Sequence, residues 1–136
     1  MTILVTDQGF GPDTWNKGYT PLGEAANDAV ALDVPSDADP DRVSLTATII
    51  RVDFPNFADG RGFTIARMLR LRGYRGRLRA HGHVIADQYA MARRSGFDEV
   101  EISQALAARQ PQEQWIFRAD WQDHDYQSRL RGASNS

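Results

Sequence analysis

Hydrophobic and polar positions alternate regularly from residue 45 onward, and the pattern predicts three successive strand–helix units. Residues 45–54 are rich in β-branched side chains and stop at Pro55, which predicts a strand. The elements predicted after it are a helix over residues 63–71, a strand over 77–81, a helix over 84–95, a strand over 99–102 and a helix capped by Ser103. This order with short connections predicts an α/β fold with a parallel sheet and right-handed crossovers.

The segments on either side of this core, residues 45–109, are less regular. Residues 1–44 mix glycine and proline with Trp15 and Tyr19, which indicates an irregular N-terminal part. Its apolar ends, residues 2–6 and 29–34, are expected to form short strands. After Val34, Pro40 can take the first position of a single helical turn with Asp39 as its cap.

The C-terminal segment, residues 110–131, is an aromatic arm. It carries Trp115, Phe117, Trp121 and Tyr126 among mixed charges. We expect this arm to pack across the sheet or onto a second copy of the chain, which would make a homodimer. Residues 132–136 are small and polar and are expected to be disordered. Residues 1–136 are therefore predicted to be one domain.

Composition excludes several classes of site. The chain has 136 residues and no cysteine, so it has no disulfide, no thiolate nucleophile, and no ligands for a Cys-rich zinc site or an iron–sulfur cluster. We expect no cofactor held by the chain itself and no metal site. With no signal-peptide core and no apolar run of about 20 residues, a cytoplasmic protein without membrane contact is expected. A net charge of −2 argues against nucleic-acid binding.

Positive charge is concentrated in one segment. Residues 61–86 hold seven arginines and no acid, whereas residues 1–60 hold ten acids and three bases. Like charges this close repel one another. Either a negative partner binds these arginines, or they pair with the acidic flanks of the same chain.

The turn formed by Asp59, Gly60, Arg61 and Gly62 lies between the strand predicted over residues 45–54 and the helix predicted over residues 63–71. Backbone amides and the positive end of the helix dipole converge at such a point, so the turn has the outline of an anion site. The alternative is that Asp59 only caps the helix and that the glycines give the turn its backbone angles.

The predicted strand over residues 77–81 alternates, which is unusual in a parallel sheet. One of its faces carries Arg77, Arg79 and His81, with His83 following at the same spacing. On the preceding strand Asp53 could meet Arg79 in a polar seam, either as a structural ion pair or as part of a binding site. The two histidines are more typical of hydrogen-bonded side chains than of metal ligands.

From residue 54 to residue 98 the chain resembles a bacterial family catalogued as domain of unknown function 934. The matching words include Phe54-Pro55, Asp59-Gly60-Arg61-Gly62, Leu69-Arg70, Leu78-Arg79-Ala80, Asp87-Gln88 and Arg94-Ser95-Gly96-Phe97-Asp98. Members of that family are described as oxidoreductases involved in sulfite reduction, with genes beside that of a sulfite or nitrite reductase. The resemblance thus implies a pathway and names no catalytic residue.

Two hypotheses follow. In the first, the chain is an accessory protein of assimilatory sulfite reduction that docks a sulfite or nitrite reductase, or its acidic electron donor, through Arg67, Arg70, Arg72 and Arg75. In the second, it is a small oxidoreductase or sensor that binds an oxyanion or phosphate at the Asp59 to Gly62 turn. Arg79 would complete that clamp, and Asp87 and Gln88 at the start of the next helix could contact the bound group, although the helix dipole also favours an Asp there. Whether the chain is an enzyme stays open.

Overall fold

A sheet of seven strands organises the chain in a computed structural model that describes residues 2–24 and 29–119. The strands are β1 Thr2–Thr6, β2 Gly9–Gly11, β3 Thr20–Pro21, β4 Ala31–Val34, β5 Ile49–Phe54, β6 Arg77–Gly82 and β7 Glu99–Ser103. Their order is β2-β1-β7-β6-β5-β4-β3. Strands β3 to β7 are parallel, and β1 is antiparallel to both β7 and β2. The predicted α/β fold with a parallel sheet is confirmed, with an antiparallel hairpin added at one edge.

The described residues form four helices beside the sheet: α1 Arg61–Leu71, α2 Tyr89–Ser95, α3 Gln104–Arg109 and α4 Gln112–Phe117. Short 3-10 turns cover Leu22–Glu24, Pro40–Arg42 and Ala86–Gln88. The predicted caps are confirmed: Asp39 accepts a hydrogen bond from the Asp41 amide at 3.0 Å, and Ser103 accepts one from the Leu106 amide at 3.1 Å. α2 ends at Gly96 in the left-handed conformation that glycine adopts easily.

Three sequence expectations need correction. The strand predicted from residue 45 begins only at Ile49. The helix predicted from residue 84 opens as a 3-10 turn and becomes α-helical at Tyr89. The N-terminal part is less irregular than expected, because pairing with β1 makes the short segment β2 a strand. Of the C-terminal arm, α4 packs its Trp115 against Phe10 and Tyr89, whereas the predicted tail lies outside the described residues.

The two faces of the sheet differ in chemistry. Helices α1 and α2 cover an apolar face, whose core includes Val52, Phe54, Leu78 and Val100. Residues opposite each other in register share a face of the sheet, and the row Asp33, Arg51, Arg79 and Glu99 crosses the other face from β4 to β7. We call this second face the charged face. The segment between β2 and β3 crosses it, with Asp13 bound to Arg79 and Tyr19 against Arg51.

Candidate functional site

Arg79 lies at the centre of the charged face with no exposed surface. Its Nε donates to Glu99 at 2.6 Å, and its Nη1 donates to Glu101 at 2.8 Å and to Asp13 at 2.9 Å. Burial alone would lower the pKa of Arg79, but hydrogen bonds and charge from these carboxylates outweigh it and raise the pKa. A buried charge must be paired in this way to be tolerated. Arg79 is therefore a structural cation, unable to reach a ligand at the surface.

Arg51 is held just as firmly on the neighbouring strand. Its Nε and Nη2 form a two-pronged pair with Asp33 at 2.6 and 2.8 Å, and Nη1 donates to Glu101 at 3.2 Å. The guanidinium also lies 3.8 Å from the centre of the Tyr19 ring. Two arginines opposite each other in register are tolerated because Glu101 accepts from both.

The predicted contact between Asp53 and Arg79 is wrong. The register places Asp53 opposite His81 and places Arg51 opposite Arg79. His81 lies between two carboxylates, with Nδ1 3.6 Å from Asp53 and Nε2 3.4 Å from Glu101. A polar seam therefore exists, but its acids come mainly from β7 and from the segment before β3.

A cleft of about 390 Å³ opens where this seam reaches the carboxyl ends of β4, β5 and β6. We call it the carboxyl-end cleft. Its lining residues are Pro21, Leu22, Gly23, Asp33, Val34, Pro35, Arg51, Asp53 and His81. The alternation of residues 77–81 indicated that His81 shares a face with Arg79. Six of the nine lining residues come from β3, β4 and the residues directly after them, and no local pattern connects these to His81.

The turn from Asp59 to Gly62 is closed by its own acid. The Asp59 carboxylate accepts from the Arg61 backbone amide at 3.1 Å, and from the Arg61 guanidinium at 2.9 and 2.7 Å. Hydrogen bonds from Arg61 lower the pKa of Asp59 well below its usual range. Gly60 precedes the helix without a side-chain cap of its own. The Arg61 amide and guanidinium are already bonded to Asp59, so the capping interpretation fits the geometry.

The other residues expected to complete that site lie elsewhere. Asp87 pairs with Arg118 at 3.0 Å. Gln88 donates to the Phe57 carbonyl at 2.8 Å and accepts from the Ile85 amide at 3.1 Å, so it ties the loop after β5 to the loop after β6. Arg79 is buried under the segment before β3. The structure does not bring Arg79 or Asp87 to the Asp59 turn, and it uses Gln88 as a brace between loops.

Two of the four arginines assigned to docking are used inside the fold. Arg70 donates to the carbonyls of Gly96, Tyr74 and Gly76 at 2.8 to 3.0 Å, and to Asp98 at 3.0 Å. Arg72 donates to the carbonyls of Pro40 and Val43 at 2.6 and 2.8 Å. The expectation that these two guanidinium groups are free is wrong, because backbone carbonyls of nearby turns and loops accept from them.

The Arg67 and Arg75 side chains are exposed, and neither guanidinium makes a hydrogen bond or ion pair with another residue in the described ranges 2–24 and 29–119. Arg75 borders an open groove of about 570 Å³ at the amino ends of β6 and β7. We call it the arginine groove. Its lining residues are Arg70, Arg75, Gly76, Arg77, Arg93, Gly96 and Asp98.

The model of a bacterial protein family of unknown function, DUF934, matches residues 29–135. The chain belongs to the DUF934 family. The match covers β4 to β7 and all four helices, and it leaves out β1, β2 and β3. No curated protein and no solved structure matches the chain.

Two further findings concern this DUF934 chain. Over residues 2–24 and 29–119, the structure contains no group of three or more His, Asp or Glu side chains arranged to hold a metal ion. The same stretches contain no helix with the length and apolar character that crossing a membrane requires.

Proposed function

We propose that this DUF934 chain is an accessory protein of assimilatory sulfite reduction, docking an acidic protein partner through the arginine groove. The observation that carries the proposal is the convergence of Arg70, Arg75, Arg77 and Arg93 on one open groove, to which residues 2–24 and 29–119 contribute a single carboxylate, that of Asp98. Three of these arginines have partners within the chain. These contacts within the chain hold the three guanidinium groups in place. The three arginine side chains have therefore already lost conformational entropy before another protein binds.

Charge at the groove is only partly compensated. Arg77 is bonded to Glu99, which is nearly buried behind it, and Arg70 shares Asp98 with the backbone of Leu78. Arg75 is exposed beside them without an acid. The groove therefore presents hydrogen-bond donors and positive potential to solvent, and a negatively charged surface would complement both.

An exposed apolar side chain on α1 beside Arg67 favours a protein over a small anion as the partner. Leu71 is 74% exposed on α1, one helical turn from Arg67. Arg75 follows four residues later. Apolar contact area bordered by arginine is the usual composition of a protein–protein interface.

Family resemblance supplies the setting for this proposal. The resemblance stated from the sequence implies a setting in sulfite reduction, with a sulfite or nitrite reductase as the expected neighbour. Cysteine-held clusters would belong to the partner, since this chain has no cysteine. Complementary charge would speed the encounter and orient the pair. The oxyanion alternative gains no support from the Asp59 turn, whose amide and arginine are taken by Asp59 itself.

Binding of purified sulfite reductase and of its electron donor to the full chain tests the proposal. We expect Arg75→Glu to raise the Kd by about tenfold at low salt, a loss of ~1.4 kcal/mol, and the difference to shrink as salt rises. Arg109→Glu is the matched control, because Arg109 is also exposed but lies near His83 at the carboxyl ends of the strands. Failure of both proteins to bind, or an equal loss in the two variants, would contradict the proposal.

A further inference from the structure

The carboxyl-end cleft has no role in docking at the arginine groove, which lies at the opposite ends of the strands. Its volume of about 390 Å³ is within the range of small-molecule sites. One wall is apolar and is formed by Pro21, Leu22, Val34 and Pro35. The other wall is formed by side chains of the charged face, which are Asp33, Arg51, Asp53 and His81. Such a pairing of an apolar wall with a few charged groups is the usual composition of a ligand site.

Negative charge dominates the polar wall. The three donor nitrogens of Arg51 are all bonded, two to Asp33 and one to Glu101. The polar lining of the cleft therefore contains two carboxylates, Asp33 and Asp53, and one guanidinium, that of Arg51. The Asp53 carboxylate is the more available of the two, because its side chain is 50% exposed and its described partner is His81 at 3.6 Å.

Register brings the two accessible carboxylates of the cleft together. Asp33 is opposite Arg51, and Asp53 lies two residues further along β5, so the two acids are diagonal neighbours on the same face. Diagonal side chains on adjacent strands are within reach of one another. A cationic group placed between Asp33 and Asp53 would contact a carboxylate oxygen of each and the adjoining apolar wall.

The charged face also contains polar groups that the chain leaves unbonded. Tyr19 Oη and Arg79 Nη2 are buried and have no hydrogen-bond partner among the described residues. Buried polar groups without a partner are rare in folded proteins. Tyr19 is the residue whose ring packs on Arg51, which lines the cleft. The face is therefore not self-contained, in contrast to the closed Asp59 turn.

We propose that the carboxyl-end cleft binds a small organic cation with a primary ammonium group on a compact apolar body. Asp53 and Asp33 accept hydrogen bonds from the ammonium, and Leu22 and Pro35 contact the body. His81, between Asp53 and Glu101, positions the Asp53 carboxylate. A small anion is excluded by the surplus of carboxylates, and an uncharged ligand would leave that surplus unanswered.

The same ammonium chemistry could come from a lysine side chain of another protein, so the test uses two probes. Cyclohexylamine represents the small molecule, and Nα-acetyl-lysine methylamide represents the peptide. Amide shifts in ¹⁵N-correlated NMR spectra of the full chain are followed during each titration. We expect cyclohexylamine to shift the amides around Asp33, Asp53 and His81 in a saturable way, with cyclohexanol and cyclohexanecarboxylate producing no saturable shift.

Asp53→Asn should weaken cyclohexylamine binding by about tenfold, the effect of losing one hydrogen bond to a charged group. Asp41→Asn is the matched control, since Asp41 is an exposed acid on the Pro40–Arg42 turn, outside the cleft. The proposal is overturned if cyclohexanol binds as well as the amine, if Asp53→Asn binds as tightly as the unchanged chain, or if the lysine derivative binds more tightly than cyclohexylamine.

Discussion

The ring of Phe54 occupies the space beside Gly62. A Cβ added to Gly62 would lie 2.7 Å from Phe54 Cε1, closer than side-chain atoms approach in folded proteins. Phe54 is buried at the end of β5 and packs against Phe63 and Phe97 with ring centres 4.9 and 5.8 Å away. The ring has no room to withdraw. Gly62 is thus required for close packing of α1 on β5, whatever else the turn does.

Gly62→Ala should therefore destabilise the fold by about 1–3 kcal/mol, the usual cost of overpacking a core. Gly60→Ala is the matched control in the same turn, because a Cβ there would meet only Phe63 at 3.9 Å. It should cost less than about 1 kcal/mol, since alanine is a poorer N-cap than glycine. Urea denaturation measures both free energies of unfolding. Equal losses in the two variants would show that packing against Phe54 is not the reason for Gly62.

Local patterns predicted most of the fold. Strands β5, β6 and β7, helix α1 and the caps Asp39 and Ser103 depend on residues close together in the sequence, and all are present. The end of α2 at Gly96 has the same origin, a glycine that adopts a positive φ. β3 could not be predicted, because it is a two-residue strand that exists only by pairing with β4.

The candidate sites were harder to predict because their geometry depends on distant partners. Arg79 and Asp13 are 66 residues apart in the sequence, and Arg70 reaches the carbonyl of Gly96 across 26 residues. The density of arginines indicated a surface, but it could not show which arginines were already bonded. The hypothesis that they pair within the chain describes Arg61, Arg77 and Arg79, whereas Arg67 and Arg75 remain exposed.

Loss of the Arg79 guanidinium should be strongly destabilising. Arg79→Leu leaves Glu99 and Glu101 buried with one fewer cation, and breaking a buried pair costs about 3–5 kcal/mol. Arg42→Leu is the control, because Arg42 is 85% exposed and meets Asp39 only at 3.9 Å. It should cost less than about 1 kcal/mol. Both are measured by chemical denaturation.

A second change tests whether Arg79 and Glu101 stabilise each other. Adding Glu101→Gln removes one of the stranded charges, while Arg51 retains its two bonds to Asp33. The double variant should be more stable than the sum of the two single losses predicts. Strict additivity would mean that Arg79 and Glu101 do not stabilise each other.

Three tyrosines should ionise at higher pH in the folded chain than in the unfolded chain. Burial raises the pKa of Tyr19 and of Tyr74 to about 12. For Tyr74 the hydroxyl lies 3.0 Å from the Ala47 carbonyl, to which it donates. The pKa of Tyr89 is raised as well, chiefly by burial and next by the hydrogen bond that Tyr89 donates to Asp7 at 2.6 Å.

The sign of the effect on stability follows from these shifts. A folded-state pKa above the unfolded value of about 10 means that the folded state holds its protons more tightly. The resulting stabilisation is complete below pH 10 and is lost as the pH rises toward 12. At pH 11, phenolate absorbance near 295 nm should lack most of the contribution of Tyr19, Tyr74 and Tyr89 in the folded chain, and it should correspond to nearly all four tyrosines in concentrated guanidinium chloride.

Tyr74→Phe provides the control for this titration. It should remove one tyrosine from the signal in guanidinium chloride and leave the folded signal at pH 11 almost unchanged, because Tyr74 is still protonated there. Circular dichroism at the same pH shows whether the chain is folded. A folded spectrum at pH 11 together with a full phenolate signal would mean that the hydroxyls of Tyr19, Tyr74 and Tyr89 are open to solvent, in conflict with the packing of the charged face and of the core beneath α1 and α2.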